Sequence, residues 1–159
     1  MIEKTLVLIK PDGVQRSLIG QIINRFEKVG LKIIAMKMVW VDKELSKEHY
    51  IEHVKKKFYK EIEEFITEGP VVAMILEGVD AIPTVRKIVG PTEPKSAPPG
   101  TIRGDFAHVS YEYADSKKTA VRNLVHASSN KDDAEREVKL WFKPEEMHDY
   151  KTVHDIHVR

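Results

Sequence analysis

The chain contains no cysteine, which excludes disulfides, thiolate metal sites and thiol nucleophiles. Side-chain amides are scarce too: Gln15, Gln21, Asn24, Asn123 and Asn130 are all of them. That scarcity, beside abundant Lys, Glu and Arg, leans toward the composition of heat-adapted proteins. An excess of one charge sign is also missing, since 26 basic residues face 25 acidic ones for a net charge of +1. No global field therefore draws the chain to nucleic acid or to an anionic membrane, and any affinity for polyanions must be local. No apolar run reaches spanning length, and the short one within residues 1–10 has no cleavage-site pattern. A cytoplasmic protein without a membrane partner is expected. With 159 residues, 42% of them hydrophobic, residues 1–159 suit one compact domain.

What is present divides into strand-like and helix-like segments. Residues 5–9 are apolar and β-rich, as a central strand requires, and they end at Lys10-Pro11-Asp12-Gly13, a turn signal that places Lys10 at a strand tip. Ile19, Ile22, Ile23 and Phe26 share a helical face before Gly30, and residues 31–41 read as a long strand. Asp42 can cap a short helix, and Phe58, Ile62, Phe65 and Ile66 mark the apolar face of another. Residues 71–76 form a third strand, followed by a helix over 80–89 that Gly90 closes. A long irregular segment with Pro91, Pro94, Pro98, Pro99 and Gly100 follows; structureless stretches of that length are commonly functional. A fourth strand leads to His126, and a final helix recovers its spacing through Val138, Leu140 and Trp141. This order predicts an α+β fold: a ferredoxin-like, antiparallel four-stranded sheet with helices packed mainly on one face.

His126 stands between an apolar run and a helix start. Glu137, eleven positions on, is far enough into that helix to point a carboxylate back at the imidazole, fixing its tautomer and raising the nucleophilicity of the other nitrogen. A core histidine satisfied by one hydrogen bond fits the same stretch, and these residues alone leave both readings open. Lys10, Arg86, Thr92 and Arg103 sit where they could converge on a polyphosphate, although basic residues at element ends are commonly just solvated. There is no P-loop and no protein-kinase signature.

Three patterns point elsewhere. His49-Tyr50-Ile51-Glu52-His53 matches an inverted zinc-hydrolase pattern, but Lys47, Lys55, Lys56 and Lys57 around it disfavour a cation. His154-Asp155-Ile156-His157 looks metal-like within a polar tail. The run from Arg103 to Tyr111 nearly spells an RNA-recognition strand, yet Asp105 shifts the register and puts Phe106 and Tyr111 on opposite faces. The balanced charge also counts against RNA. A non-catalytic nucleotide- or RNA-binding module of the same topology stands as the competing class.

Four segments in order carry a more specific signal: I-K-P-D-G-V-Q-R over residues 9–16, G-P-V-V-A-M over 69–74, P-G-T-I-R-G-D-F over 99–106 and N-L-V-H-A-S over 123–128. On these the chain resembles the nucleoside diphosphate kinases across nearly its whole length. The resemblance implies a γ-phosphate transfer from a nucleoside triphosphate to a nucleoside diphosphate by a ping-pong route, with His126 as nucleophile and Glu137 and Ser128 orienting its ring. It implies that Lys10 and Asn123 hold the ribose 3′-hydroxyl, that Arg86, Thr92 and Arg103 clamp the phosphates, that Tyr50 stands beside the histidine and that the base stacks on Phe58. It further implies Mg²⁺ between the phosphates, no requirement for nucleic acid, and a homo-oligomer, a hexamer before a tetramer. Two features depart from the family pattern. His126-Ala127-Ser128-Ser129 stands where H-G-S-D is common, and residues 111–118 look inserted.

Overall fold

A computed structural model describes residues 1–158; Arg159, the last residue of the expected domain, lies outside the described residues. In chain order the elements are β1 (Ile2–Ile9), α1 (Pro11–Gln15), α2 (Ile19–Glu27), β2 (Lys32–Trp40), α3 (Lys43–His49), α4 (Tyr59–Thr67), β3 (Pro70–Val79), α5 (Ala81–Val89), α6 (Ile102–Phe106), α7 (Tyr111–Ser116), β4 (Val125–Ala127), α8 (Lys131–Trp141) and α9 (Asp155–Val158). The strands form one antiparallel sheet in the order β2-β3-β1-β4. This is the expected ferredoxin-like α+β arrangement, with β1 and β3 central.

Strand alternation sorts the core into two layers. Val7 and Ile9 of β1 join Val72, Met74, Leu76, Val125 and Ala127 on one face, where Ile22 and Phe26 of α2 and Val85 and Val89 of α5 cover them. Leu6 and Leu8 join Val71, Ala73 and Ile75 on the other, against Ile66 of α4 and Val138 and Trp141 of α8. The crossover helices α2 and α5 share one face, as expected. The opposite face is covered as well, because β1 and β3 are apolar on both sides and neither side can be left in water. His126 pairs with Leu8, so its side chain points to the α8 face while Val125 and Ala127 point to the other.

Several local expectations need correction. Lys10-Pro11-Asp12-Gly13 does not turn; Pro11 opens α1 at its first position, where the missing N–H costs nothing and the fixed φ suits a helix. Phe58 leaves the apolar stripe of α4 and stands half-exposed before its first turn, because Tyr59 takes the buried position. The proline-rich stretch is not wholly irregular: a 3-10 turn covers Pro94–Ser96, and α6 and α7 follow. The near-match to an RNA-binding strand is in part α6, capped by the Thr101 hydroxyl, which accepts the Gly104 N–H. His49 ends α3, so His49 and His53 share no helix face, and His154 and His157 are exposed near α9.

Gly104 shows how tightly α6 is seated. A Cβ there would run into the Pro98 carbonyl oxygen, which already accepts from the Thr101 hydroxyl at 2.7 Å. Gly104→Ala is expected to cost about 2 kcal/mol or more, at the upper end of overpacking penalties, because backbone must move. Urea unfolding checks this, and a variant as stable as the parent would contradict the packing of α6 on Pro98.

Candidate active site

The approach to His126 is held by backbone. Val125 N–H donates to the Asn123 carbonyl at 2.8 Å, closing a γ-turn around Leu124, whose φ is 70°. A leucine there stores on the order of 1–3 kcal/mol of strain and stays only if its surroundings insist. They do: the Leu124 N–H donates to Asp12 Oδ2 at 3.0 Å, its carbonyl accepts the Lys10 N–H at 2.8 Å, and its side chain is fully buried. Burial raises the Asp12 carboxyl above its ordinary range, against the opposing pull of Lys10 and the N–H groups of Leu124 and Gly13. The start of α1 thereby aims the strand that carries the histidine.

Behind the imidazole runs a chain of hydrogen bonds. His126 Nε2 lies 3.0 Å from Glu137 Oε2, the Ser128 hydroxyl donates to the same oxygen at 2.6 Å, and Ser128 Oγ accepts the Leu6 N–H at 3.2 Å. Asn130 caps α8 by accepting the Asp133 N–H at 2.9 Å, and Val138 and Trp141 bury its inner face, which fixes where Glu137 projects. Burial pushes the Glu137 carboxyl up, but His126, Ser128 and Arg136 outweigh it and hold the group below its ordinary value. The carboxylate is ionised at neutral pH. With Nε2 engaged, Nδ1 is the nitrogen left with a usable lone pair.

A cationic wall faces this ring. Lys10 Nζ donates to Asn123 Oδ1 at 2.8 Å, and Asn123 Nδ2 donates to the Thr92 carbonyl at 2.9 Å. Arg103, nearly fully buried, donates Nε–H to the Asn123 carbonyl at 3.1 Å, Nη1 to Gly90 at 3.0 Å and Nη2 to Val125. Three of the five N–H groups of a guanidinium are thus committed, and two remain for a ligand. Burial, then Arg86, lowers Arg103 to about 10, so it stays charged at neutral pH. Arg86 Nη1 donates to the Ala127 carbonyl at 3.3 Å. Burial raises the Tyr50 hydroxyl, with Glu137 adding to it, so the phenol stays protonated.

Lys10, Tyr50, Phe58, Arg86, Thr92, Arg103, Asn123, His126 and Glu137 line one cavity of about 610 Å³. Ser128 is brought to the same place from behind, fully buried under Glu137. Sequence reasoning gave no site role to Arg136, which also lines it, and treated His49 and His53 only as a metal pattern; Tyr111, Asp115 and Lys118 bring the inserted stretch 111–118 to the same cavity. His49, His126 and Glu137 bring ligand-type atoms within 4.8 Å of one another. Two nitrogens and one carboxylate suit Mg²⁺ poorly, since it takes an octahedron of oxygens, and the surrounding wall is cationic.

A ferredoxin-like sheet that presents a carboxylate-tethered histidine to a basic cavity defines a phosphate-handling enzyme. A sequence-family model described as nucleoside diphosphate kinase matches residues 3–147. The chain is 56% identical over 153 residues to a nucleoside diphosphate kinase of Pyrococcus abyssi, covering 96% of this chain and 92% of that relative. Among solved structures it is similar to a transition-state mimic of the Borrelia burgdorferi enzyme with bound vanadate and ADP. There the TM-score is 0.95 at 44% identity, over 99% of this chain and 96% of the other. A Halobacterium salinarum nucleoside diphosphate kinase in complex with CDP aligns with a TM-score of 0.88 at 42% identity, over 98% and 97% of the two chains. The chain belongs to the nucleoside diphosphate kinase family. It is a phosphotransferase that moves the γ-phosphate of a nucleoside triphosphate to a nucleoside diphosphate.

Lys10 supplies a test of this electrostatics. Burial, then Arg103, lowers its ammonium from 10.5 to about 8, against the pull of Asp12. Between those two values the unfolded chain binds more protons than the folded one, so stability rises with pH there; below about 8 the cost of the buried charge is fully present. The stability of the parent relative to Lys10→Met should therefore improve from pH 8 to 10.5, by at most about 1.4 kcal/mol per pH unit. Urea unfolding of both proteins across this range checks it, and a flat or falling difference would refute the buried charge.

Proposed function

We propose that His126 carries the phosphoryl group through Nδ1. The observation that supports this reading most is the bond from Glu137 to Nε2, which leaves Nδ1 as the basic nitrogen facing a cationic cavity. In the first half-reaction Nδ1 bonds to the γ-phosphorus while the bond from that phosphorus to the β-phosphate oxygen breaks, releasing the nucleoside diphosphate. A second diphosphate then takes the phosphoryl group by the reverse steps. Phosphohistidine is itself a high-energy species, so neither half-reaction runs strongly downhill.

Catalysis in this scheme is positioning and charge stabilisation of a loose transition state. Lys10 and Asn123 take the ribose 3′-hydroxyl, Arg86, Thr92 and Arg103 take the phosphates, and Tyr50 stands beside the reacting ring. Glu137, with Ser128 behind it, orients that ring and balances its positive charge. Phe58 is exposed at the cavity mouth, where stacking gives about 1–3 kcal/mol whatever the base. Mg²⁺ would be held mainly by the nucleotide's own phosphates and would neutralise part of their charge; among the described residues the metal-type cluster, His49, His126 and Glu137, offers it too few oxygens.

Residues 1–159 act as one domain in this reading, and the protein works in the cytoplasm. Among the described residues no helix is long and apolar enough to cross a membrane. The preference for a hexamer over a tetramer rests on the family resemblance alone, while a homo-oligomer as such is supported by the edge strand β2. There Met36, Met38 and Trp40 are exposed beyond the point where the Tyr150 hydroxyl and the His148 N–H bond the Ile33 and Ile34 carbonyls.

The decisive experiment is incubation with Mg²⁺ and γ-labelled triphosphate. The parent should give an acid-labile, base-stable phosphoprotein, and His126→Ala should give none. Label that persists on the variant, or resists acid as phosphoserine does, would refute the assignment.

A further inference from the structure

Two imidazoles meet in the cavity, and the scheme above uses only one. His49, at the end of α3, is 3% exposed and lies edge-to-face with His126, ring centroids 4.5 Å apart and planes at 81°. On its other side Trp141 of α8 donates its indole Nε1–H to His49 Nδ1 at 3.1 Å. An indole N–H can only donate, so Nδ1 keeps its lone pair and the neutral ring carries its proton on Nε2. That Nε2–H is buried and has no hydrogen-bond partner among the described residues. Native structures seldom leave a buried donor without a protein partner, so this one calls for a specific explanation.

The surroundings keep the ring neutral. Burial lowers His49 well below its ordinary value, and His126, Arg136, Lys10 and His53 push the same way. The Glu137 carboxylate is the opposing charge nearby, and its Oε2 already takes His126 and Ser128. A protonated His49 would compete for that carboxylate. The same facts argue against a metal site on His49, His126 and Glu137. A cation on His49 Nε2 would move the proton to Nδ1, setting it donor against donor with Trp141.

We infer that His49 is a positioning residue for phosphotransfer: a neutral imidazole wedged between Trp141 and His126 that fixes the rotation of the reacting ring and keeps an unused N–H donor beside it. The inference rests on His126 as the phosphoryl carrier and adds what holds that carrier in line. Glu137 grips the His126 ring at one nitrogen only. One hydrogen bond leaves the ring free to swing about it, and an edge-on neighbour removes that freedom. Reacting atoms must be aligned to a fraction of an ångström for the in-line step.

Two variants separate the contributions. His49→Asn keeps an acceptor for Trp141 in the place of Nδ1 but removes the ring edge and the Nε2 donor. His49→Gln returns an amide N–H to the place of Nε2. In single-turnover phosphorylation at saturating Mg²⁺ and ATP, His49→Asn should slow the step by about ten- to a hundredfold, with nucleotide affinity unchanged. His49→Gln should recover a clear part of that loss. A parental rate in His49→Asn, a loss of affinity in place of rate, or equal rates in the two variants would overturn the inference. Nitrogen-15 NMR of the parent reads the ring without any variant. His49 should stay neutral and Nε2-protonated at pH values where an ordinary imidazole titrates, and added Zn²⁺ should leave its resonances in place. Titration, a proton on Nδ1 or a Zn²⁺-induced shift would equally overturn it. Absence of any label on the parent would instead strike the role of His126, leaving the state of His49 to be read independently.

Discussion

The Glu137 carboxylate is the interaction on which the rest of the site depends. It sits almost fully buried, where an uncompensated charge would cost several kcal/mol. Three groups make it tolerable: His126 Nε2, the Ser128 hydroxyl and the nearby Arg136, whose Nη2 lies 3.7 Å from Oε1. Ser128 is in turn bonded to the Leu6 N–H. The carboxylate therefore ties β1, β4 and α8 together, and α8 can dock in one register only. The cap at Asn130 and the apolar anchors Val138 and Trp141 serve that register.

Placement of charge follows from the same frame. A chain with a net charge of +1 can still recognise a polyanion if its cations converge, and here they do so by being drawn into the wall. Lys10 is delivered by the end of β1, Arg86 by α5 and Arg103 by α6, each fixed by a bond to a carbonyl or amide oxygen. Pre-ordered donors in a half-dry cavity lose little on binding, which is where electrostatic stabilisation of a transition state is strongest. The wall's cost appears in Lys10, whose ammonium is less stable than in water.

Much of this was legible in the sequence, for reasons that are local. The alternation and apolar runs of β1 and β3, the stripe of α2 and the cap of α3 at Asp42 depend on neighbours a few residues away. The spacing of His126 and Glu137 across a short turn made their pairing one of two readings, and the resemblance chose it. The second helical layer, α1 opened by Pro11, and the exposure of Phe58 were missed, because each is decided by what the rest of the chain leaves uncovered. The left-handed Leu124 had no signal at all: a leucine advertises burial, while its φ is imposed by Asp12 and Lys10 more than a hundred residues away. His49 carried no usable signal: its spacing to His53 fits a metal pattern that the surrounding lysines disfavour, and its actual partners, Trp141 and His126, lie on other elements.

The central claim is that the hydrogen bond to Glu137 assigns the two nitrogens of His126 their roles, one for support and one for chemistry. The isomer of phosphohistidine formed on the intact enzyme tests this most directly, read by phosphorus–nitrogen correlation NMR on the nitrogen-15-labelled protein after phosphorylation with Mg²⁺ and ATP. The account predicts phosphate on Nδ1 with the proton retained on Nε2. Phosphate on Nε2 would mean that Glu137 does not hold that nitrogen during the reaction, and would contradict the account.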